Sequence, residues 1–226
     1  MTHNTPVELD SACTPQDIES RSFAIIDEEL PSPRPFEGPL WQVARRCIHT
    51  LGDTEIINDL RLSAAGLEAG VVALMRGCTV YTDTRMAAAG LPMRRLTPLG
   101  VTVTPIMALP GLDELARAGG TTRSRAGLES LAQQMSGHIM VIGNAPTALL
   151  GLLDVLEQGA PPPALIVGMP VGFVNAAQSK ELLHRTSWPH FTLLGRKGGS
   201  AVAAACVNAL ADLALEQRGL GDIAKL

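Results

Sequence analysis

The sequence predicts an α/β fold of three layers, α/β/α, with a mostly parallel, Rossmann-like sheet in the middle. Short apolar runs such as HIMVIG (138–143), ALIVG (164–168) and HFTLLG (190–195) have the continuous hydrophobic character of strands buried on both faces. Segments with helical spacing of apolar residues separate these runs. Strands that alternate with helices form parallel sheets that the helices cover on both sides.

Three helices are predicted before residue 78. We expect a loose tail over residues 1–15 and a single domain over 16–226, because no repeat or long linker divides the chain. Apolar residues recur at helical spacing in several segments, and prolines or glycines end them. The predicted helices span residues 16–29, 38–50 and 64–76.

Strands and helices alternate from residue 78 onward. In the segment after the strand at 138–143, Asn144 is placed to cap a helix and Pro146 fits its first turn. The other elements follow from the same patterns of spacing. They are strands at 78–83 and 101–107, and helices at 84–90, 121–137, 176–185 and 200–217.

The composition indicates a globular protein. Hydrophobic residues make up 46% and charged residues 18% of the chain, which suits a domain with a substantial core. The net charge is −4, and no strongly basic patch of the kind that binds nucleic acid occurs, so no nucleic-acid partner is expected.

No apolar run approaches the roughly 18 residues of a membrane span, and the polar N-terminus has no secretory pattern, so we expect a cytoplasmic protein without a membrane partner. The four cysteines form no CxxC pair, which argues against a zinc or redox motif.

Glycine-rich loops follow the three predicted buried strands, at the end where ligands bind in such sheets. They cover residues 143–147, 168–173 and 195–200. Glycine lets the backbone approach a ligand closely, and the helix N-termini beyond offer N–H groups to carboxylates or phosphates. Tight turns alone would also explain these glycines. No GxGxxG occurs, and GRKGGS lacks the spacing of a phosphate-binding loop.

Arginines near the predicted loops are candidates for binding carboxylates. For any single one, a solvated surface charge is an equally simple explanation. The histidines form no HxH or HExxH array, and spacing assembles no nucleophile–base–acid triad. The residues alone therefore predict an α/β domain that binds a small anionic ligand. The basic candidates are Arg21, Arg45, Arg46, Arg85, Arg123, Arg125, Arg196 and Lys197.

Several segments, taken together and in order, resemble the precorrin-8X methylmutase family. Each is weak alone, but their common order makes a chance match improbable, and the resemblance covers roughly residues 20–210. The chain departs from the family pattern near Pro92, after Ser124 and after His49, which leaves the finer substrate contacts open. The matching segments are RSFAII (21–26), IH (48–49), TRS (122–124), IGNAPTAL (142–149), GMPVGFV (168–174), SKE (179–181), and GR and GGSA within 195–201.

The resemblance implies an isomerase of cobalamin biosynthesis. Its reaction would move a methyl group from C-11 to C-12 of precorrin-8X, an anionic tetrapyrrole, to give hydrogenobyrinate, or would act on the cobalt-containing counterpart. The family pattern implies no cofactor, no metal ligand on the protein, and a homodimer with the active site near the subunit interface. The alternatives are a corrinoid carrier without catalysis and a phosphate- or nucleotide-binding enzyme.

The resemblance also assigns roles to individual residues. His49 would donate a proton to the macrocycle, a role that needs a charged imidazole near neutral pH. Arginine side chains and backbone N–H groups at the glycine loops would bind the acetate and propionate groups of the ring. The implied substrate-binding residues are Ser22, Arg123, Arg196, Arg21, Ser124, Asn144, Thr147, Lys180, Gly172 and Gly199.

Overall fold

The structure is a computed structural model and describes residues 14–221. Within these residues, six strands form one sheet in the order β1-β6-β5-β4-β2-β3. Strand β1 pairs antiparallel with β6, and every other pair is parallel, so the predicted mostly parallel sheet is confirmed. The strands are β1 (Leu60–Leu62), β2 (Thr79–Thr82), β3 (Thr102–Pro105), β4 (Ile139–Ile142), β5 (Leu165–Gly168) and β6 (His190–Leu193).

The helices cover both faces of the sheet, as the sequence predicts. On one face α10 packs between α2 and α3, and on the other α7, α8 and α9 pack side by side. No helix within residues 14–221 is both long and apolar enough to cross a bilayer. The helices are α1 (Pro15–Glu29), α2 (Gly38–Leu51), α3 (Ala64–Met75), α4 (Arg85–Ala89), α5 (Met93–Leu96), α6 (Leu112–Ala118), α7 (Arg123–Glu129), α8 (Pro146–Glu157), α9 (Ala176–His184) and α10 (Ser200–Gln217).

Two apolar cores lie on either side of the sheet. Alternate side chains of a strand point to opposite faces, so Val141 packs with α2, α3 and α10 while Met140 and Ile142 pack with α8. Strands β4, β5 and β6 are buried at every position, which explains their unbroken apolar sequences. Helix α10 is rich in alanine, and its small side chains let it approach its neighbours closely.

Two local predictions were wrong. The helix expected over 121–137 ends at Glu129, and a separate 3₁₀ turn follows at Ala132–Gln134. The Ser130 hydroxyl donates to the Gly127 carbonyl at 2.7 Å, a local bond that competes with helix continuation. Asn144 does not cap α8: Ala145 occupies the cap position without a side-chain bond, although Pro146 lies in the first turn as expected.

The N-terminal tail predicted over residues 1–15 lies mostly outside the described residues. Where the described residues start, Thr14 already caps α1, whose first residue is Pro15. The Thr14 hydroxyl accepts the Asp17 N–H, and the Asp17 carboxylate accepts the Thr14 N–H in return. This reciprocal capping places the start of α1 one residue inside the predicted tail.

The strand order reverses direction between β2 and β4. The chain proceeds from β2 outward to β3, then returns to the other side of β2 and continues through β4, β5 and β6. Ligands of such sheets bind outside the carboxyl ends of the strands at this reversal. The loops after β2, β4, β5 and β6 therefore form the edge on which a functional site is expected.

Candidate active site at the carboxyl ends of the strands

A buried carboxylate, Asp83, organises the loops at the reversal of strand order. Its Oδ2 accepts the N–H groups of Asn144 at 2.7 Å and Ala145 at 2.8 Å, and its Oδ1 accepts that of Gly143 at 3.1 Å. Burial raises the pKa of the Asp83 carboxyl, and these three hydrogen bonds oppose that rise. The N–H groups that we expected to bind a ligand at this loop are thus bonded to Asp83.

The loops after β2 and β4 also meet the start of α10. The Thr84 and Ser200 hydroxyls lie 3.0 Å apart. A Cβ on Gly143 would lie 2.7 Å from the Ser200 Cα, so only glycine permits this approach of two backbones. The first glycine loop is therefore a packing junction, and its asparagine, Asn144, remains exposed beside it.

The loops after β5 and β6 are tied to each other by their backbones. Gly199 donates its N–H to the Met169 carbonyl at 2.9 Å, and Gly172 donates to the Arg196 carbonyl at 3.2 Å. A Cβ on Gly198 would lie 2.4 Å from the Met169 oxygen, which excludes any side chain there. Gly172 and Gly199 consequently use their N–H groups inside the protein, and their contribution is to shape the two loops.

Lys180 stabilises the loop after β6 from inside the protein. Its side chain is completely buried, and Nζ donates to the Lys197 carbonyl at 2.6 Å. Burial lowers the pKa of Lys180 to about 8, although the charge of Asp59 opposes the shift. Lys180 therefore holds the β6 loop in place, and its nitrogen is directed to the backbone rather than outward to a ligand.

The titration of Lys180 should appear in the pH dependence of stability. Since its pKa is about 8 in the folded protein and 10.5 ordinarily, the unfolded chain binds more protons between those values. The free energy of unfolding should then rise with pH from about 8 to 10.5, relative to a Lys180→Met variant that has no such group. Urea unfolding of both proteins across this range measures the difference. A constant difference would contradict the lowered pKa.

His49 lies in the last turn of α2 and lines a pocket of about 360 Å³ between α1 and α2. Ser22 lines the same pocket, as do the carboxylates of Glu29 and Asp53. The imidazole is half-buried and meets the Phe23 ring edge-on, with 5.4 Å between the ring centroids. The structure thus brings together His49 and Ser22, two of the residues that the sequence singles out.

An ion pair joins this pocket to the glycine loops. Asp53 Oδ2 lies 2.5 Å from the Nζ of Lys197, which belongs to the loop after β6. The Lys197 carbonyl in turn accepts the hydrogen bond of Lys180. The His49 pocket is therefore next to the loop after β6.

The loop after β5 exposes large apolar side chains that are not among the predicted site residues. Phe173 is 85% exposed and Val174 is 77% exposed. The Arg196 guanidinium lies 5.3 Å from the centre of the Phe173 ring, a cation–π arrangement. Exposed apolar side chains beside a cleft are typical of binding surfaces. The signal in the sequence was the apolar run VGFV within a loop.

Arg123 lies with Ser124 and Thr147 at another part of the edge. The hydroxyl of Thr122, the cap of α7, lies 3.0 Å from the Thr147 hydroxyl and 3.4 Å from that of Ser124, which places the first turns of α7 and α8 side by side. Arg123 is more than half exposed, and its Nη1 lies 3.6 Å from the Asp113 carboxylate. Its pocket, lined by Asp113 and Glu114, is separate from the pocket of His49.

The remaining basic candidates serve internal contacts or lie outside the pocket of His49. Arg45, Arg46 and Arg125 form ion pairs that tie helices together, so they are not available to a ligand in this conformation. Arg21 is exposed on α1, where its charge lowers the pKa of Asp17 after two larger hydrogen-bond contributions from Thr14. The pairs are Arg45 with Asp27, Arg46 with Glu19 and Asp212, and Arg125 with Glu129 and Asp154.

Fold and site define a three-layer α/β protein with a half-buried histidine at the carboxyl edge of its sheet, beside an aromatic and cationic surface. The family model described as precorrin-8X methylmutase matches residues 17–213. The chain belongs to the precorrin-8X methylmutase family.

Individual relatives agree with this assignment. The precorrin-8X methylmutase of Pseudomonas aeruginosa is 44% identical over 198 residues, covering 87% of this chain and 94% of that protein. The cobalt-precorrin-8 methylmutase of Salmonella typhimurium is 42% identical over 203 residues, covering 87% of this chain and 94% of that protein. The solved structure of the precorrin-8X methylmutase from Thermus thermophilus superimposes with a TM-score of 0.81 at 40% identity, covering 88% of this chain and 96% of that one.

Proposed function

We propose that this chain is a cytoplasmic isomerase of cobalamin biosynthesis that moves a methyl group from C-11 to C-12 of the precorrin-8 macrocycle. The observation that carries the proposal is the position of His49, half-buried in an open pocket that the Asp53–Lys197 ion pair joins to the loop carrying Arg196. The relatives of similar identity bear the names of both the metal-free and the cobalt-containing substrate. Both forms of the ring are therefore included in the proposal.

His49 acts as the proton donor in this proposal. A methyl group can migrate between neighbouring carbons of a conjugated ring without redox chemistry, and protonation of the macrocycle favours the rearranged tautomer. The edge contact with the Phe23 ring orients the imidazole in the pocket, whose lining also includes Glu29 and Asp53. Because the product is an isomer of the substrate, the macrocycle must return one proton for the one it receives, and the deprotonated His49 imidazole is the group that takes it back.

The Phe173–Arg196 surface binds the ring. An aromatic side chain that is largely exposed suits the flat apolar face of a macrocycle, and the neighbouring guanidinium suits its peripheral carboxylates. Lys180 and the bonds between the two glycine loops hold this surface in one conformation. Such positioning restricts a large substrate to one reactive arrangement.

We also propose that the protein acts as a homodimer, with Arg123, Ser124 and Thr147 binding carboxylates at a shared site. Two observations support a second subunit: the exposed apolar side chains of the β5 loop, and the separation of the Arg123 pocket from that of His49 within one chain. Mixing an inactive His49→Ala protein with an inactive Arg123→Ala protein would restore part of the turnover if the site is shared. Two inactive proteins that stay inactive when mixed would argue against it.

The test of the proposed function is an absorbance time course with metal-free precorrin-8X and, separately, with its cobalt form. The expected product has the mass of the substrate and carries the methyl group at C-12 by NMR. Conversion of one form alone would identify the physiological ring. Tight binding without conversion of either form would favour the carrier alternative, and stabilisation by nucleotides alone would favour the nucleotide-binding alternative.

Replacing Arg196 with alanine should weaken binding of the tetrapyrrole by about 1.5–3 kcal/mol, the usual value of a charge-assisted hydrogen bond. Arg196→Lys should recover part of the loss, because the charge remains while the paired geometry is lost. Absorbance titration of the bound ring measures the affinity. Arg185→Ala is a matched control, since Arg185 is also exposed and, among the described residues, pairs with Glu181 one turn earlier in the chain. Equal affinities of the two alanine variants for the ring would show that Arg196 is a solvated surface charge that does not contact it.

A further inference from the structure

A second pocket lies at the opposite edge of the sheet, away from the proposed active site. Its volume is about 320 Å³, and its lining includes the first residue of β6 and the last residue of α9. Those residues are two histidines that meet: Nδ1 of His184 lies 3.4 Å from Nε2 of His190. His184 is exposed, and His190 is 8% exposed.

The hydrogen bonds of His190 define its protonation. Its Nδ1 lies 2.7 Å from the Trp188 carbonyl oxygen, which can only accept, so Nδ1 carries the proton and Nε2 carries the lone pair. Burial lowers the pKa of His190, the nearby His184 lowers it further, and the bond to Trp188 opposes them. Histidines that ligate metals hold their second ring nitrogen on a carbonyl in the same way.

The separation of the two nitrogens fits a shared metal ion. Two imidazole nitrogens bound to one tetrahedral zinc ion at about 2.0–2.1 Å lie about 3.3–3.4 Å from each other. The observed separation is 3.4 Å. Arg61 also lines the pocket and keeps its positive charge, and its Nη1 is held on the backbone by donating to the carbonyls of Asn58 and Leu60 at 2.8 Å each.

We propose that His184 and His190 bind a divalent transition-metal ion of the zinc type, with waters in the pocket completing a tetrahedral shell. Within residues 14–221, no group of three or more His, Cys, Asp or Glu side chains is arranged to hold a metal, so the protein supplies two ligands and solvent the others. The ion would tie the end of α9 to the start of β6 and close the loop 185–189 between them. It would stabilise this corner of the fold without entering the tetrapyrrole reaction.

The test is a titration of the metal-free, tag-free protein with zinc chloride by calorimetry. His3 and Cys13 lie outside the described residues, so they are replaced in the background protein (His3→Asn, Cys13→Ser) to remove other ligands. We expect one equivalent of zinc to bind and to raise the melting temperature. His184→Asn should abolish both effects, and it should fold normally because the side chain is exposed. His138→Asn, which removes a histidine elsewhere in the chain, should leave both unchanged.

Cobalt(II) gives a second, spectroscopic measurement on the same proteins. A tetrahedral site should produce intense visible absorption that His184→Asn loses. Failure of the background protein to bind zinc, or binding that His184→Asn leaves unchanged, would overturn the proposal and leave a hydrogen bond between the two rings. Tetrapyrrole turnover is not part of the readout, and His184→Asn should retain it, so this result is independent of the proposed function.

Discussion

Replacing His49 with alanine should lower turnover of the tetrapyrrole by at least about a hundredfold, the usual contribution of a general acid. His49 is the histidine of the pocket that α1 and α2 form, and nothing in the described lining offers another imidazole. Binding should persist, because the Phe173–Arg196 surface lies on loops that the substitution does not touch. Single-turnover absorbance measurements give the rate, and equilibrium titration gives the affinity.

Two further variants make the His49 experiment specific. His49→Gln keeps a polar side chain of similar size but cannot act as an acid near neutral pH, so it should be as slow as the alanine variant. His138→Gln, which changes a histidine at the amino end of β4, should retain turnover. A His49→Ala protein that keeps most of its activity would refute the proton-donor role, whatever its affinity for the ring.

Replacing Asp83 with alanine should destabilise the fold by about 3 kcal/mol or more. Three N–H groups, those of Gly143, Asn144 and Ala145, would lose their acceptor inside a packed junction. Each unsatisfied buried donor costs about 1–3 kcal/mol, and water entering the cavity would recover only part of that. Urea unfolding monitored by circular dichroism measures the change in free energy.

Asp83→Asn separates the hydrogen bonds from the charge. It keeps one acceptor oxygen but turns an amide donor toward the remaining N–H groups, so its stability should lie between those of the wild-type and alanine proteins. Asp113→Ala is the control, because Asp113 is 74% exposed and its carboxylate lies 3.6 Å from Arg123 at the surface. An Asp83→Ala protein within about 0.5 kcal/mol of the control, the range of ordinary surface substitutions, would contradict the role assigned to this carboxylate.

The sequence predicted correctly the strands and helices whose own residues carry a clear apolar pattern. The runs at 138–143, 164–168 and 190–195 proved to be β4, β5 and β6, and the alanine-rich segment became α10 with the predicted ends at 200 and 217. Strand β1 was missed because three residues, Leu60–Leu62, are too few to show a period. Its pairing with β6 depends on a contact between distant parts of the chain.

The structure brings together only some of the predicted site residues. His49 and Ser22, named through a family resemblance, do line one pocket. The role of Asp83 was not foreseen, because a single acid after a strand has no distinctive spacing. Lys180 was expected at the substrate, but it is buried and bonded to the Lys197 carbonyl. Which polar groups stay free for a ligand depends on their partners, and those partners lie far away in the sequence.

By itself, the sequence determined the α/β class, the position of the long elements and the family. Apolar periodicity and the order of motifs are properties of the linear chain, so they can be recognised without a structure. The tertiary structure alone decided which loops bind each other, which arginines are neutralised and where two histidines meet. Asp83 and Gly143, 60 positions apart, and Asp53 and Lys197, 144 positions apart, become neighbours only when the sheet is assembled. Hydrogen bonds and ion pairs act over a few ångströms, and the separation of two residues along the chain does not tell how close they lie in the folded protein.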